Sequence, residues 1–468
     1  MGAGRAGSRW RLMGGRPMSA SSARVRAREV VSLVRERSGF AHEVFDSRLR
    51  DSDLPPAEVA LATRLAYGTL QTQGTLDEAI DHYVGGKKLE PRVRDALRVA
   101  AYEILFLRTP ARAAVHQGVE LVRSVRPQAS GLANAVLRRL ADDAPAFPWG
   151  DPDTDTPALA RLYGHPLWLA EMWIAELGRD TAAAVMAADN EPAPLFVAVN
   201  PFGGSDQAVT ALQADGAQPQ ECAIQGCLRL DDAARAVHGS ALRDGRVVAC
   251  DAAAQLVARF ARVTPGARVL EVGSGRGTKT MLLQGDAVGR GGPAEIFALD
   301  LHAFKARLLE ERLARFGVPG VRALVGDARD LGSVDGLPQA GSVDVVLIDA
   351  PCTGLGTLRR HPEKRWRVTP ADLDSLAELG LQLLREAAQL VRRGGFVVYS
   401  TCTVARRENA AVVDSFLAGE QGSEWRVDSL SGDVPAEWRP FVTVEGYFSS
   451  FPVSGGPDGH FAARLVRS

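Results

Sequence analysis

The sequence lacks the long apolar segments that membrane spans require. No apolar run in the 468-residue chain approaches the ~20 residues needed to cross a bilayer. Residues 1–23 contain no apolar stretch of the kind that a secretory signal needs, and Ala6 stands where N-myristoylation requires Ser or Thr. These absences predict a cytoplasmic protein with no membrane contact, in which residues 1–23 form a disordered extension.

Cysteine is scarce, and the net charge is close to zero. The five cysteines are scattered along the chain, which predicts free thiols in a reducing compartment rather than a disulfide framework. Cys222 and Cys227 form an isolated C-x4-C without a second ligand pair, so no metal site is expected. The 55 basic and 56 acidic residues neither favour nor exclude nucleic acid as a partner. Residues 1–145, however, carry 23 basic and 16 acidic residues, so the first third of the chain is basic.

Hydrophobic periodicity divides the chain into three parts. Apolar residues recur at helical spacing through residues 24–145, which predicts an all-α domain. Residues 146–245 begin with a stretch rich in Pro, Asp, Thr and Gly and then mix short helices and strands, which predicts a linker and a small α+β connector. In residues 246–468 apolar strands alternate with segments of helix length, the pattern of a doubly wound α/β domain. The strands predicted in this last part are 267–272, 296–299, 321–325, 343–348 and 396–399.

The predicted strand ends carry residues that suit a nucleoside-containing ligand. The first strand runs into a glycine-rich turn, and glycine lets a ligand approach the backbone amides at the start of a helix. The second ends in Asp300, where a carboxylate can accept hydrogen bonds from ribose hydroxyls. Both features fit NAD equally well, but Asp327 and Asp349 at the next two strand ends, the latter before Pro-Cys, favour S-adenosyl-L-methionine. The residues predicted to bind this donor are Gly273, Ser274, Gly275, Arg276, Gly277, Thr278, Lys279, Asp300, Asp327 and Asp349.

Two cysteines each follow a predicted strand in a polar turn. Cys352 and Cys402 are therefore expected to meet in one crevice at the carboxyl ends of the strands. The C5 carbon of a pyrimidine is a poor nucleophile, and attack of a thiolate at C6 converts the ring into an enamine that can accept a methyl group. Asp349 is expected to hydrogen-bond the base near N3 and to stabilise the charge that develops there. Cys402, Cys352 and Asp349 are thus the candidate catalytic residues.

A basic segment with an aromatic residue follows Cys352 closely. Arg359, Arg360 and Arg365 are expected to contact RNA phosphates, and Trp366 is expected to stack on a base. Because a thiol can reach C6 only of an unstacked base, the target cytosine is expected in a loop or a partly opened region.

These motifs resemble those of the RNA cytosine-5 methyltransferases, and specifically of the RsmB family, also called Sun or Fmu, of small-subunit rRNA methyltransferases. The resemblance lies in residues 349–366 (DAPCTGLGTLRRHPEKRW), 399–403 (YSTCT), 163–168 (YGHPLW) and 457–461 (PDGHF). The helical first third resembles a NusB-type RNA-binding domain at residues 64–68 (RLAYG) and 113–121 (AAVHQGVEL). The similarity covers nearly the whole chain after the first 23 residues.

The resemblance has specific implications for fold and chemistry. It implies a Rossmann-like class I methyltransferase domain that transfers the methyl group of S-adenosyl-L-methionine to C5 of a cytidine in 16S rRNA. It further implies that Cys402 is the nucleophile, that Cys352 assists release of the product, and that Lys279 reaches the base as well as the donor. A monomer that binds rRNA, without metal, is expected.

The sequence departs from the family pattern in two places. Residues 273–279 read GSGRGTK after Glu271, where the family usually has Cys-Ala-(Ala or Gly)-Pro-Gly-Gly-Lys after an Asp, and Ala198 stands where an Arg is typical. Gly275, Gly277 and Lys279 are retained, so donor binding is still expected. Two alternatives remain open: a non-catalytic RNA-binding or antitermination factor with a degenerate methyltransferase domain, and a cytosine-5 methyltransferase that acts on tRNA.

Overall fold

The chain forms two compact units, one within residues 1–165 and one within residues 166–468. The computed structural model describes residues 21–37, 39, 41, 44–45, 54–231 and 236–468. Most of the predicted disordered extension, residues 1–20, lies outside this description, and the first helix begins at Ser22. No helix in the described segments is both long and apolar enough to cross a membrane.

The first unit is built from helices around one hydrophobic core. Each of the first six helices named below contributes an apolar face of Leu, Val, Ile and Ala side chains to this core. The helices are Ser22–Arg37 (α1), Pro56–Gln71 (α2), Gln73–Val84 (α3), Pro91–Leu105 (α4), Ala111–Val125 (α5), Ser130–Asp143 (α6) and Thr156–Tyr163 (α7).

Two glycines allow helices of this unit to pack closely on α4. A Cβ atom at Gly68 would lie 1.9 Å from Cζ of Tyr102, and one at Gly118 would lie 2.5 Å from Cβ of Ala100. Both glycines belong to the segments that resemble a NusB-type domain. Close helix packing therefore explains why glycine occupies these two motif positions.

The segment predicted as a linker packs on the first unit. Phe147 and Trp149 cover its core, with the Phe147 ring 5.2 Å from that of Phe106 and 5.1 Å from that of Trp149, centroid to centroid. The expectation of a free linker here is wrong, because these aromatic side chains bury apolar area against the helices. Residues up to His165 belong to this unit.

The second unit contains two sheets and the helices that cover them. Its helices are Leu167–Leu177 (α8), Arg179–Ala188 (α9), Ala208–Ala214 (α10), Ser240–Arg243 (α11), Ala252–Arg259 (α12), Thr278–Gly289 (α13), Ala303–Phe316 (α14), Lys364–Arg367 (α15), Pro370–Leu390 (α16) and Ala410–Leu417 (α17). Its strands are Leu195–Val199 (β1), Gln218–Glu221 (β2), Cys227–Asp231 (β3), Val247–Ala249 (β4), Arg268–Val272 (β5), Glu295–Asp300 (β6), Val321–Val325 (β7), Val343–Asp349 (β8), Val391–Thr401 (β9), Trp425–Val427 (β10), Phe448–Ser449 (β11) and Phe461–Arg467 (β12).

The smaller sheet is antiparallel and forms the predicted α+β connector. Its strand order is β2-β3-β1-β4. Ala198 lies in β1, is buried, and pairs with Cys227 in β3. The position where related proteins typically carry Arg is therefore held by a small side chain inside the connector.

The larger sheet has the strand order β10-β12-β9-β8-β5-β6-β7, with β11 paired to β12. The strands β7, β6, β5, β8 and β9 are parallel, and β12 runs antiparallel to β9. The chain order reverses between β5 and β8, so a crevice opens beyond the carboxyl ends of these two strands. Such a switch point is where doubly wound sheets bind ligands.

Candidate active site

The loop after β5 turns sharply against the end of β8. Gly273 has φ +82°, and a Cβ atom there would lie 2.6 Å from the carbonyl oxygen of Asp349. Gly277 has φ +80°, and a Cβ atom there would lie 2.2 Å from Cδ1 of Leu309. Only glycine fits both the conformation and the space at these two positions. The loop therefore presents its backbone to the crevice immediately before α13 begins at Thr278.

Asp300 fixes the shape of this loop from the end of β6. Its carboxylate accepts hydrogen bonds from the backbone N–H of Gly275 at 3.0 Å and of His302 at 2.9 Å, and the ammonium of Lys305 lies 3.5 Å away. The residue is only 5% exposed. The sequence predicted a ribose ligand role for Asp300, and the structure adds that the same carboxylate ties the second strand end to the glycine loop.

The loop and its supporting strand leave polar groups where a donor would be held. The hydroxyl of Ser274 is buried and has no hydrogen-bond partner among the described residues. Beneath it Glu271 accepts a hydrogen bond from the Thr280 hydroxyl at 2.5 Å, and burial raises the pKa of Glu271 to about 7. An unpaired buried hydroxyl costs free energy unless a ligand satisfies it. The glycine cradle, Ser274 and Asp300 thus fit the nucleoside-containing methyl donor predicted from the sequence.

Asp327, predicted to bind the methyl donor, follows β7 at the same edge of the sheet. Its carboxylate accepts hydrogen bonds from the Arg329 guanidinium, with distances from 2.5 to 3.0 Å. These bonds hold the pKa of Asp327 below its usual value. The carboxylate is therefore ionised and retains lone pairs for an amino group.

Cys352 and Cys402 meet in the crevice. Their Sγ atoms are 3.4 Å apart, and the backbone N–H of Cys402 points to Sγ of Cys352 at 3.4 Å. The carbonyl of Cys402 accepts a hydrogen bond from the N–H of Gly356 at 3.0 Å, and the carbonyl of Gly356 accepts one from Gly459 at 2.8 Å. Three loops are thereby joined around the two thiols.

The surroundings of the two thiols differ. A hydrogen bond with Cys352 and the ammonium groups of Lys364 and Lys279 lower the pKa of Cys402, although burial opposes them. The same hydrogen bond, burial and the carboxylate of Glu408 raise the pKa of Cys352 well above its usual value. Cys402 is therefore the more acidic thiol of the pair and Cys352 the less acidic one, which agrees with the nucleophile role that the resemblance implied for Cys402.

Lys279 and Asp349 form an ion pair beside the thiols. Nζ of Lys279 lies 2.6 Å from Oδ2 of Asp349. Burial would lower the pKa of Lys279, but the carboxylate of Asp349 raises it above its usual value, so Lys279 is charged. The pair joins the start of α13 to the end of β8, the strand that precedes Cys352. About a third of the Asp349 side chain is exposed.

A buried polar network holds the cysteine loops in place. Glu408 accepts hydrogen bonds from the backbone N–H of Thr353 at 2.7 Å and from its hydroxyl at 2.5 Å. Asn409 accepts a hydrogen bond from the Thr401 hydroxyl at 2.5 Å and donates one to the Thr403 carbonyl at 2.9 Å. Glu408 and Asn409 thus hold the loops of Cys352 and Cys402 in place.

Two residues near the site were not singled out by sequence. Cys250 follows β4. Burial raises the pKa of its thiol to about 12, and the charges of Lys279 and Asp349 also act on this thiol. His460 is buried, its Nδ1 has no partner in the described part of the chain, and burial lowers its pKa. His460 lies within residues 457–461, which carry part of the family resemblance. Cys250 follows a strand too short for the sequence to indicate a site there.

The prediction of an exposed basic segment after Cys352 is wrong for two of its arginines. The Arg359 side chain is fully buried and donates to Asp458 at 2.6 Å, and Arg365 is fully buried and donates to the Asn190 side chain at 2.8 Å. Arg360 is about a third exposed and is paired with Asp251 and Asp458. Buried guanidinium groups with internal partners stabilise the fold, so direct RNA contact is not their role in this structure.

Comparison with known proteins agrees with this arrangement. The profile of the family 16S rRNA methyltransferase RsmB/F matches residues 260–466, that of the NusB family matches residues 21–142, and that of the RsmF/B-like ferredoxin-like domain matches residues 165–237. The connector, for which the sequence indicated only an α+β fold, thus matches a ferredoxin-like domain.

Relatives match over almost the whole chain. The ribosomal RNA small subunit methyltransferase B of Thermus thermophilus is 32% identical over 93% of this chain and 96% of its own length. The protein of the same name from Pseudomonas putida is 31% identical over 87% of this chain and 90% of its own length.

Solved structures show the same fold. The crystal structure of the protein PH0851 has a TM-score of 0.74 and 23% identity, and covers 97% of this chain and all of that chain. A methyltransferase homologue from Pyrococcus horikoshii has a TM-score of 0.54 and 22% identity, and covers 66% of this chain and 98% of that chain. The predicted fold class is confirmed, as is the assignment to S-adenosyl-L-methionine-dependent methyltransferases with a NusB-like first domain. The chain belongs to the family of ribosomal RNA small subunit methyltransferase B.

Proposed function

We propose that this protein transfers a methyl group from S-adenosyl-L-methionine to C5 of a cytidine in small-subunit rRNA, through a covalent bond between Cys402 and C6 of the base. The observation that carries the proposal is the 3.4 Å contact between the two thiols at the switch point of the sheet. A thiolate and a neutral thiol held side by side supply both a nucleophile and a group for the later proton transfer.

The first step is the attack of Cys402 on C6. The sulfur forms a bond to C6, and the electron pair of the C5–C6 double bond moves to C5 and is delocalised toward N3 and O2. The ammonium of Lys279, which is held by Asp349, would stabilise this negative charge. S-Adenosyl-L-methionine, when bound, supplies the electrophilic methyl group that the enriched C5 carbon accepts.

The second step returns Cys402 to its starting state. The proton on C5 leaves, the C5–C6 double bond forms again, and the C6–S bond breaks with its electron pair on Cys402. Cys352, whose sulfur lies 3.4 Å from that of Cys402, passes its thiol proton to solvent and then accepts the proton from C5, and in this way assists product release.

The strand ends supply the residues for the donor in this proposal. Residues 273–279 would hold it through their backbone amides, Asp300 would accept hydrogen bonds from its ribose hydroxyls, and Asp327 would accept one from its adenine amino group. Trp366 follows Cys352 closely in the sequence, and its side chain is half-buried. In this proposal it stacks on a base of the RNA.

Substrate choice is tested by methyl transfer to competing RNAs. The purified protein is incubated with labelled S-adenosyl-L-methionine and equal amounts of unmethylated small-subunit rRNA and unmethylated tRNA. Label in rRNA at a single cytidine is the expected result. Label in tRNA alone would replace the substrate in this proposal, and no donor binding would favour a non-catalytic RNA-binding factor.

A further inference from the structure

A second, strongly basic cavity lies on the other side of the glycine loop. It has a volume of about 530 Å³ and is enclosed by β4, residues 276–278 and α14. Three arginines line it, Arg276 from the loop and Arg312 and Arg315 from α14, together with one acidic residue, Glu311. Cavities of this size are typical of ligand sites.

The positive charge in this cavity is not compensated by ion pairs. Among the described residues, no salt bridge includes Arg276, Arg312 or Arg315. Arg312 donates instead to the carbonyl of Arg276 at 3.0 Å and to the Thr278 hydroxyl at 3.3 Å. Burial and the like charges of Arg276 and Arg315 lower the pKa of Arg312, and no carboxylate offsets them. Three clustered guanidinium groups repel each other, so an anion bound among them is stabilised.

The cavity adjoins the catalytic crevice. Arg276 and Thr278 belong to the loop that precedes Lys279, and β4 ends one residue before Cys250, which is exposed to the charges of Lys279 and Asp349. The loop that would hold the methyl donor therefore also forms one wall of this cavity. Arg276 stands where the family pattern given above has Pro.

We infer that the cavity binds backbone phosphates of the substrate RNA next to the target cytidine, through Arg312, Arg315 and Arg276. Guanidinium groups suit this ligand because their planar donors match phosphate oxygens in pairs. The inference rests on the proposed function, since it names the surface that the RNA substrate occupies. It also supplies the phosphate contacts that Arg359 and Arg365, being buried, do not make.

The double variant Arg312→Gln/Arg315→Gln tests the inference. Glutamine keeps a hydrogen-bond donor near the glycine loop but removes both charges. Binding of a fluorescently labelled single-stranded RNA is measured by anisotropy over a range of salt concentrations. Each lost phosphate contact should reduce the slope of log K against log salt by about 0.7, so affinity at 0.1 M salt should fall by about 10- to 30-fold.

The matched control is Arg392→Gln/Arg393→Gln. Both side chains are at least half exposed and lie at the amino end of β9, away from the crevice. This variant should bind RNA with the affinity and salt slope of the unaltered protein. Calorimetric affinity for S-adenosyl-L-methionine should be the same in all three proteins, because neither Arg312 nor Arg315 is among the residues expected to bind the donor, and the glutamine that replaces Arg312 can still donate a hydrogen bond to the loop.

Three outcomes would overturn the inference. The first is an RNA affinity and slope in Arg312→Gln/Arg315→Gln equal to those of the unaltered protein, and the second is an equal loss in the control variant. The third is a loss of donor affinity that matches the loss of RNA affinity, which would assign the arginines to the donor carboxylate. Failure of the proposed function differs from these, because the unaltered protein itself would then not methylate rRNA.

Discussion

The sulfur atoms of Cys352 and Cys402 lie 3.4 Å apart although 50 residues separate them in the chain. They meet because β8 and β9 are adjacent parallel strands, and each cysteine follows the carboxyl end of one of them. The hydrogen bond between the two thiols lowers the pKa of Cys402 and raises that of Cys352, so the contact makes Cys402 the more acidic thiol and supports its proposed role as the nucleophile.

Replacement of Cys402 by Ala should abolish turnover, because the remaining thiol of the crevice, Cys352, has a raised pKa and is a poor nucleophile. Methyl transfer from labelled donor to rRNA measures this effect. Cys222→Ala, which removes a half-buried thiol in the connector, is the control and should keep normal turnover. Normal turnover in Cys402→Ala would exclude the nucleophile role.

Replacement of Cys352 by Ala should trap the covalent intermediate. Attack by Cys402 would still occur, but the group that accepts the C5 proton would be missing, so release would stall. A protein–RNA species that survives denaturing electrophoresis is the expected observation. If turnover falls and no such species accumulates, Cys352 has no part in release.

The acid side of the pH profile should depend on Lys364. Its ammonium favours the thiolate of Cys402, so Lys364→Gln should raise the Cys402 pKa. The thiolate fraction at a given pH would then fall, and the rise of kcat/KM with pH should move to higher pH. Lys88→Gln, in the other unit, should leave the profile in place, and an unmoved profile in Lys364→Gln would contradict the assignment of charge to this site.

Asp300→Asn should weaken donor binding by about tenfold or more, about 1.4 kcal/mol. The variant loses a carboxylate that accepts hydrogen bonds from Gly275 and His302, and charge-assisted bonds of this kind are stronger than neutral ones. Calorimetry with S-adenosyl-L-methionine checks this, with the exposed Asp335→Asn as control. An unchanged donor affinity in Asp300→Asn would contradict its role in the donor site.

Arg359→Gln should destabilise the fold rather than weaken RNA contacts directly. Arg359 and Arg360 hold the pKa of the buried Asp458 below its usual value against the effect of burial, and loss of Arg359 leaves this carboxylate poorly paired. Breaking a buried pair costs about 3–5 kcal/mol. Thermal unfolding should show a lower Tm, whereas an unchanged Tm together with weaker RNA binding would restore the RNA-contact prediction.

Sequence alone predicted the parts of the site that depend on strand order. Asp300, Asp349 and both cysteines follow apolar strands, and parallel strands bring their carboxyl ends to one edge, so the crevice and its residues could be expected. The strands β5 to β9 occur where apolar runs indicated them. Local periodicity is sufficient for such features.

Sequence could not predict partners that lie far along the chain. Arg359 and Arg365 stand in a basic run that reads as a solvated loop, but their partners Asp458 and Asn190 are 99 and 175 residues away. The packing of Phe147 and Trp149 on the first unit was missed for the same reason, since Pro and Asp around them suggested a linker. Only tertiary contacts distinguish a buried guanidinium from an exposed one.

The most direct test of the central claim is methyl transfer to unmethylated small-subunit rRNA by the unaltered protein, Cys402→Ala and Cys352→Ala, with the product mapped by mass spectrometry. We expect 5-methylcytosine at one position with the unaltered protein, no product with Cys402→Ala, and an RNA adduct at Cys402 with Cys352→Ala. A 5-methylcytosine product formed by Cys402→Ala, or an adduct at Cys352, would contradict the assignment of Cys402 as the nucleophile.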